Sequence, residues 1–346
     1  MKKLFLSVVV IISLILSNFL CSCTPKKEKF STYSMDYFDT VITISGYENS
    51  QKEFDALSKE ILAQFKDYHQ LYSIYHRFDG LENLCTINEL VDGAHRTVKV
   101  DRRIIDMLLY AKEMYTTTNG VMNVAMGSVL SLWHDYRTIG KDEPNNASLP
   151  PMDRLKDAAE HTDINKMIID EENNTVTLTD PLMKLDVGAV AKGYATERVA
   201  LWLEEKGVTG YVLNVGCNVR TIGAKADGED WTIGIENPNG EDYLSYLNLN
   251  GQSVVTSGSY QRFYYVEGKP YHHIIHPDTL MPAEGYLSVS IVCNNSGLGD
   301  ALSTALFCMT KQQGMELIES IKDAEAMWVT SEGEKDFSSG WNKYEK

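Results

Sequence analysis

Three stretches of this chain carry side chains whose types and spacing could do chemistry. In Asp300-Ala301-Leu302-Ser303-Thr304, helical spacing puts Asp300 and Thr304 one turn apart on a shared face, with Ser303 beside them. All three offer oxygen, which suits Mg²⁺ better than Zn²⁺. An N-capping Asp followed by a satisfied Thr is the competing reading. The second stretch is Leu185-Asp186-Val187-Gly188-Ala189-Val190-Ala191-Lys192-Gly193. It reads as a strand, a Gly turn and a helix whose free N–H groups can hold phosphate. Lys192 would add charge, and Asp186 could accept from an adenine or a ribose. An ordinary strand-to-helix connection with a solvated Lys stays open, because a Gly-rich turn alone is a weak signal. The third stretch pairs Thr256-Ser257-Gly258-Ser259-Tyr260 with Tyr271-His272-His273-Ile274-Ile275-His276-Pro277, where three of the eight histidines fall within five residues. No Glu or Cys accompanies them in a zinc-ligand spacing. A single His acting as general base fits a pKa near neutrality, and polar loop histidines remain the alternative.

The elements that must position these stretches mix strands and helices without regular β-α-β alternation, so the expected class is α+β. Strands are expected at Val41 to Gly46, Asn174 to Thr179, Tyr211 to Val215, Trp231 to Ile235, Ser253 to Thr256, Arg262 to Val266, Leu287 to Val292 and Ala326 to Thr330. Phe54, Leu57, Ile61, Phe65 and Tyr68 recur every three or four residues and mark a helix. A second helix is expected around Ile104 to Tyr115, closed by Asn119-Gly120. Further helices are expected through Val199 and Trp202, near Asp300 to Met309, and near Gln313 to Ile321. The polar stretch Lys141 to Ser148 reads as a long loop.

The N-terminus reads as processing signal. Lys2 and Lys3 precede an apolar run from Leu4 to Leu20, the charge and length of a secretory leader. An uncleaved anchor competes with this reading, since a spanning helix needs about 20 apolar residues. Leu20-Cys21-Ser22-Cys23 resembles the lipobox of bacterial lipoproteins, with Cys23 the residue to be lipidated. The expected organisation is a signal at 1–22, a tether at 23–30 and a single large domain at 31–346. With 48 acidic against 32 basic residues and a net charge of −16, nucleic acid is a poor partner, because its binding is dominated by Lys and Arg contacts to phosphate. A hydrophobic content of 43% is ample for a core. Cys85, Cys217, Cys293 and Cys308 are scattered. Free thiols are favoured over one or two disulfides, which spacing cannot decide.

Taken in order, these segments resemble the ApbE family, the FAD:protein FMN transferases. Phe38-Asp39-Thr40 is similar to its "MGT" turn and Tyr72-Ser73-Ile74-Tyr75 to its "STY" segment. Leu185 to Tyr194 resembles "LDLGGIAKGYA". Asn214-Val215-Gly216 matches "NIGG" with Cys217 in place of the second Gly. Thr256 to Tyr260 fits "TSGxY", His272 to Pro277 resembles "SHIIDP" with His276 at the usual Asp, and Asp300 to Thr304 fits "DALAT". At the family's "DVTVGP", Asn123, Ala125 and Ser128 replace Asp, Thr and Pro, which leaves backbone contacts there. The resemblance implies a T-fold-like domain with mixed or antiparallel sheets and packed helices. It implies Mg²⁺ held by Asp300 and Thr304, with Ser303 or the Ala189 carbonyl. It implies FAD contacts at Phe38, Tyr75, Ala125, Met126, Gly127, Asp186, Lys192 and Ile275, and His273, or Asp300 beside the metal, in catalysis. The implied reaction transfers FMN from FAD to a Thr or Ser hydroxyl of an acceptor redox protein and releases AMP. A Mg²⁺-dependent FAD diphosphatase and a non-catalytic flavin-binding lipoprotein are the alternatives. The implied location is the cell envelope, on a bacterial membrane through the lipid.

Overall fold

The computed structural model describes residues 27–89, 96–240 and 242–346. Strands β1 (Glu28–Ser34) and β2 (Ile42–Glu48) pair as an antiparallel hairpin, and helix α1 (Gln51–Tyr72) follows. Ser50 starts α1: its backbone is extended and its side chain accepts the Glu53 N–H, the geometry Ser favours at a cap. The apolar period then puts Phe54, Ile61, Phe65 and Leu71 on one buried face. The chain continues through α2 (Leu84–Asn88), β3 (Arg96–Lys99), α3 (Arg102–Thr117), α4 (Gly127–Asp142), α5 (Met152–Ala159), β4 (Met167–Asp170), β5 (Thr175–Leu178) and α6 (Ala191–Glu205). Next come β6 (Tyr211–Val215), β7 (Asn218–Ile222), β8 (Trp231–Glu236), β9 (Tyr243–Leu249), β10 (Ser253–Gly258), β11 (Phe263–Val266) and β12 (Lys269–His272). The chain ends through β13 (Tyr286–Cys293), α7 (Ser296–Cys308), α8 (Lys311–Ser320), β14 (Glu325–Thr330) and β15 (Lys335–Phe337).

Eight strands form the main sheet in the order β1-β2-β6-β7-β10-β13-β14-β15, and every neighbouring pair is antiparallel. Side chains alternate across it, as the period of two requires. Val289 and Ile291 join the main core, while Val292 points to a second cluster with Val254 and Met327. Helices α1, α6 and α7 cover the first face, with α6 on β6 and β7 and α7 on β10 and β13. The hairpin β8–β9 covers the other, through Ile235, Leu247 and Leu249. A third cluster, built from Val129, Trp133, Tyr264, Ile275 and Leu280, joins α4 to the β11–β12 hairpin. The architecture is a single α+β domain with antiparallel sheets, the expected class.

A buried ion pair ties the sheet to the helices that cover it. Arg220 on β7 meets Glu197 on α6 at 3.1 Å, both side chains 5% exposed or less. Glu197 also accepts the Ser296 N–H at 2.7 Å, so the same carboxylate anchors the first residue of α7.

Several boundaries differ from the sequence expectation. Strand β1 begins at Glu28, so residues 28–30 belong to the sheet and not to a tether; Phe30 packs on Phe54, ring centroids 5.7 Å apart. The leader at 1–22, Cys23 and the tether through residue 26 lie outside the described residues. The expected loop at Lys141 to Ser148 starts inside α4, which runs to Asp142, and then tightens into a 3₁₀ turn at Pro144–Asn146. No strand forms at Leu185. Its backbone is satisfied by the Asn88 side chain, which accepts the Leu185 N–H at 2.7 Å and donates to the Leu185 carbonyl at 2.8 Å. Only a single bridge, Met126 to Lys184, remains of the expected strand.

Candidate functional site

The Asp186 segment is held from both sides. Asn88 grips Leu185, and the Asp186 N–H donates to the Val124 carbonyl at 2.8 Å. Gly127 lets the neighbouring loop approach: a Cβ there would lie 2.5 Å from the Lys184 carbonyl oxygen. Asn123 shapes that loop, accepting the Ala125 N–H at 2.9 Å and donating to the Thr162 carbonyl at 2.9 Å. Asp186 Oδ1 then accepts the Gly188 N–H at 2.8 Å. Asp186 lines the cavity, and burial raises its pKa above the ordinary value.

Asp300 is not a helix cap. Asn295 caps α7, its side chain accepting the Leu298 N–H, and Asp300 lies a turn further in, 3% exposed. Its Oδ2 accepts the Gly193 N–H at 2.8 Å, and its Oδ1 lies 3.7 Å from Lys192 Nζ. Gly193 is required there, since an added Cβ would meet Asp300 Cβ at 2.4 Å and the Ser296 carbonyl oxygen at 2.3 Å. The Thr304 hydroxyl lies 3.3 Å from Ser257 Oγ at the end of β10. Ser303 Oγ bridges the Asp300 carbonyl, 3.0 Å, and Ser257 Oγ, 2.8 Å.

The three clustered histidines separate by their partners. His272 Nε2 lies 2.8 Å from the Ala283 carbonyl and its Nδ1 accepts the Ile274 N–H. His276 Nδ1 accepts the Asp278 N–H at 3.1 Å. His273 alone keeps a buried Nδ1 without a hydrogen-bond partner. Burial, then the Arg262 and Arg137 guanidiniums with smaller contributions from His272 and Lys192, pushes its pKa down to about 3. The ring is therefore neutral at pH 7.

These segments converge on a cavity of about 430 Å³, within the range of small-molecule sites. Of the expected site residues, Tyr75, Met126, Asp186, Ala189, Lys192, His273, Ile275, Asp300 and Thr304 line it. Phe38, Ala125, Gly127 and Ser303 do not. Ala125 is fully buried, Ser303 supports Ser257, and Phe38 packs its ring edge-on to His69, 5.6 Å between centroids. Phe38 and Asp39 both have positive φ, 60° and 49°. Such backbone is strained for a bulky residue, and it turns Asp39 and Thr40 into the wall.

The structure adds wall residues that the sequence did not single out: Arg137, Arg262, His134, Trp133 and Asn218. Arg137 and His134 share α4, and the His134 ring stacks on Tyr75 at 5.0 Å. Cys217, on left-handed backbone with φ 68°, also faces the cavity. All four described cysteines are free thiols, and burial raises the pKa of Cys217.

Among the described residues no cluster of three or more His, Cys, Asp or Glu is placed to hold a metal ion. A magnesium site needs no such cluster, because Mg²⁺ takes hard oxygen donors and keeps several waters. The donors present fit it: the Asp300 carboxylate, the Thr304 hydroxyl and the Ala189 segment all face the cavity. Asn218 adds a buried Oδ1 that has no hydrogen-bond partner. That oxygen crowds the same point as Asp300, 3.0 Å from where a Gly193 Cβ would be.

Fold and cavity together define an antiparallel α+β protein with a ligand cleft lined by both cationic side chains and oxygen donors. The chain matches the ApbE family over residues 38–328, and it belongs to that family. It is similar to the FAD:protein FMN transferase of Klebsiella pneumoniae, 32% identical over 279 residues that cover 80% of this chain and 83% of that protein. It is 31% identical over 248 residues to the FAD:protein FMN transferase of Treponema pallidum, covering 67% of each. The crystal structure of the ApbE protein of Thermotoga maritima superposes with a TM-score of 0.80 at 27% identity, over 92% of this chain and all of that one.

Proposed function

We propose that the chain is a Mg²⁺-dependent FAD:protein FMN transferase, which moves FMN from FAD onto a Thr or Ser hydroxyl of an acceptor protein and releases AMP. The observation that carries this reading is the meeting, in one cavity, of the unpartnered His273 ring, the Asp300 and Thr304 oxygens, and Lys192. They come from three separate parts of the chain. The names of the relatives support the same reading.

Asp300, Thr304 and the Ala189 carbonyl, with Asn218 beside them, would hold Mg²⁺, which neutralises diphosphate charge and orients it for displacement. Lys192 adds a cation next to Asp300. Asp186 and Tyr75, which line the same cavity, take the flavin nucleotide. The acceptor hydroxyl oxygen forms a bond to the FMN-side phosphorus. The bridging P–O bond to AMP breaks and AMP leaves with that electron pair. His273 takes the hydroxyl proton. Its ring is neutral in the free protein, the form a base needs, and a bound diphosphate offsets the guanidinium charge that holds its pKa down.

Calorimetry with FAD and with FMN tests the reading. FAD, which alone carries the diphosphate and the adenosine half, is expected to bind more tightly. Equal affinities would remove FAD as the substrate of this cavity. We also propose that Cys23 is the lipidated N-terminus and that the enzyme faces outward from a bacterial membrane. The Leu20 to Cys23 pattern supports this. Mass spectrometry of native protein is expected to find a lipid-modified Cys23, and an intact Met1 would contradict it.

A further inference from the structure

Four arginines of the described structure sit in ion pairs with carboxylates: Arg77, Arg102, Arg103 and Arg220. Arg137 and Arg262, the two that line the cavity, pair with none among the described residues. Arg154 and Arg198 make no ion pair among the described residues either, but neither lines the cavity; Arg137 and Arg262 are the arginines that bring unpaired guanidinium charge into it, and this marks a place for an anion.

The contacts of both side chains orient them without neutralising them. An Arg137 N–H lies 2.9 Å from His134 Nδ1. Arginine can only donate, so His134 Nδ1 accepts and its proton sits on Nε2. Burial, and then the charge of Arg137, lowers the pKa of His134, which keeps the ring neutral. Arg262 donates to the Asp39 carbonyl at 3.2 Å, and both residues line the cavity. Both contacts are with neutral acceptors. The two guanidiniums also oppose each other: burial lowers the pKa of Arg137 and Arg262 lowers it further, while Tyr75 and Asp186 in the same cavity pull the other way. Like charges facing one partly enclosed space store repulsion, and an anion between them relieves it.

We propose that Arg137 and Arg262 form an anion clamp that grips the diphosphate of the flavin nucleotide, in the cavity that the Asp300 and Thr304 oxygens also line. Planar guanidinium forks match phosphate oxygens with two parallel N–H bonds each. Arg137 is fixed through His134 on α4. Arg262 reaches in from the start of β11. His273 feels both cations, so it lies beside the gripped group. The inference rests on the flavin-nucleotide reading of the cavity, and the test separates the two.

The experiment measures binding of FAD, riboflavin and inorganic pyrophosphate to wild type, Arg137→Gln and Arg262→Gln at two salt concentrations, with melting temperatures beside them. Each substitution is expected to weaken FAD by roughly tenfold to a hundredfold, the loss of a charge-assisted hydrogen bond. It is expected to leave riboflavin unchanged and to flatten the salt dependence of FAD binding. Arg137→Lys keeps the charge and loses the fork, and should recover only part of the affinity. If Arg137→Gln fails to fold, the exposed Arg262 still decides the matter. FAD affinity within twofold of wild type in a folded variant overturns the clamp. If wild type binds pyrophosphate through these arginines but does not bind FAD, the clamp stands and the flavin reading falls.

Discussion

Gly193→Ala adds a single methyl group where α6 and α7 meet. Ordinary contact begins at 3.4 Å, whereas the added Cβ would lie 2.4 Å from Asp300 Cβ and 2.3 Å from the Ser296 carbonyl oxygen. Neither atom is the far end of a flexible side chain, so α7 has to back away by about 1 Å. Overpacking of this kind costs about 1–3 kcal/mol. Alanine regains roughly 0.5–1 kcal/mol through its better helix propensity, so the net loss expected is about 1–2 kcal/mol. The effect on chemistry is larger. The Gly193 N–H holds Asp300 Oδ2 at 2.8 Å, and a displacement of about 1 Å at a positioned group costs on the order of a hundredfold in rate. Urea denaturation midpoints and FMN transfer at saturating FAD and Mg²⁺ check both numbers. An unchanged or raised midpoint with full transfer would refute the argument that this close approach positions Asp300.

Three further outcomes concern buried titratable groups. His273 has a folded pKa of about 3 against the ordinary 6.5, so the unfolded chain binds more protons between those values. Wild-type stability is therefore expected to fall as pH drops from about 6.5 towards 3, and His273→Ala should fall less over that window; parallel losses of denaturation midpoint at pH 7 and pH 4.5 would contradict this. In the transfer assay the same variant should lose about 10²–10⁴-fold, the range of a general base. Glu197→Ala removes one partner of a buried pair and the acceptor of the Ser296 N–H. It should cost about 3 kcal/mol, the low end for such a change, because Arg220 keeps Glu204 at 3.1 Å; a denaturation midpoint like wild type would rule out an anchoring role.

Much of the site was legible because it is written in short linear segments. Asp300 and Thr304 share a helical face, and Asp186 and Lys192 flank a Gly turn, so spacing made each pair a candidate and the order of the family-like segments gave it a role. The left-handed φ of Cys217 gives a physical reason for the glycine that the family motif carries at that place. Arg137 and Arg262 were not legible, since a surface arginine and a cavity arginine look alike until the carboxylates around them are placed. Helix α4, which carries Arg137, gives no start signal: its N-cap Met126 makes no side-chain capping bond. The false strand at Leu185 has a similar origin. Its apolar pattern is that of a strand, but Asn88, 97 residues away, supplies the backbone partners.

The Asp300–His273 cavity is proposed to transfer FMN onto another protein. Wild type and Asp300→Ala, each with FAD, Mg²⁺ and an acceptor carrying a Ser/Thr motif, test it in a single mass-spectrometric experiment. Wild type is expected to add FMN less water to the acceptor and to release AMP in equal amount, and folded Asp300→Ala is expected to do neither. FMN and AMP released freely beside an unmodified acceptor, or full transfer by Asp300→Ala, would contradict it.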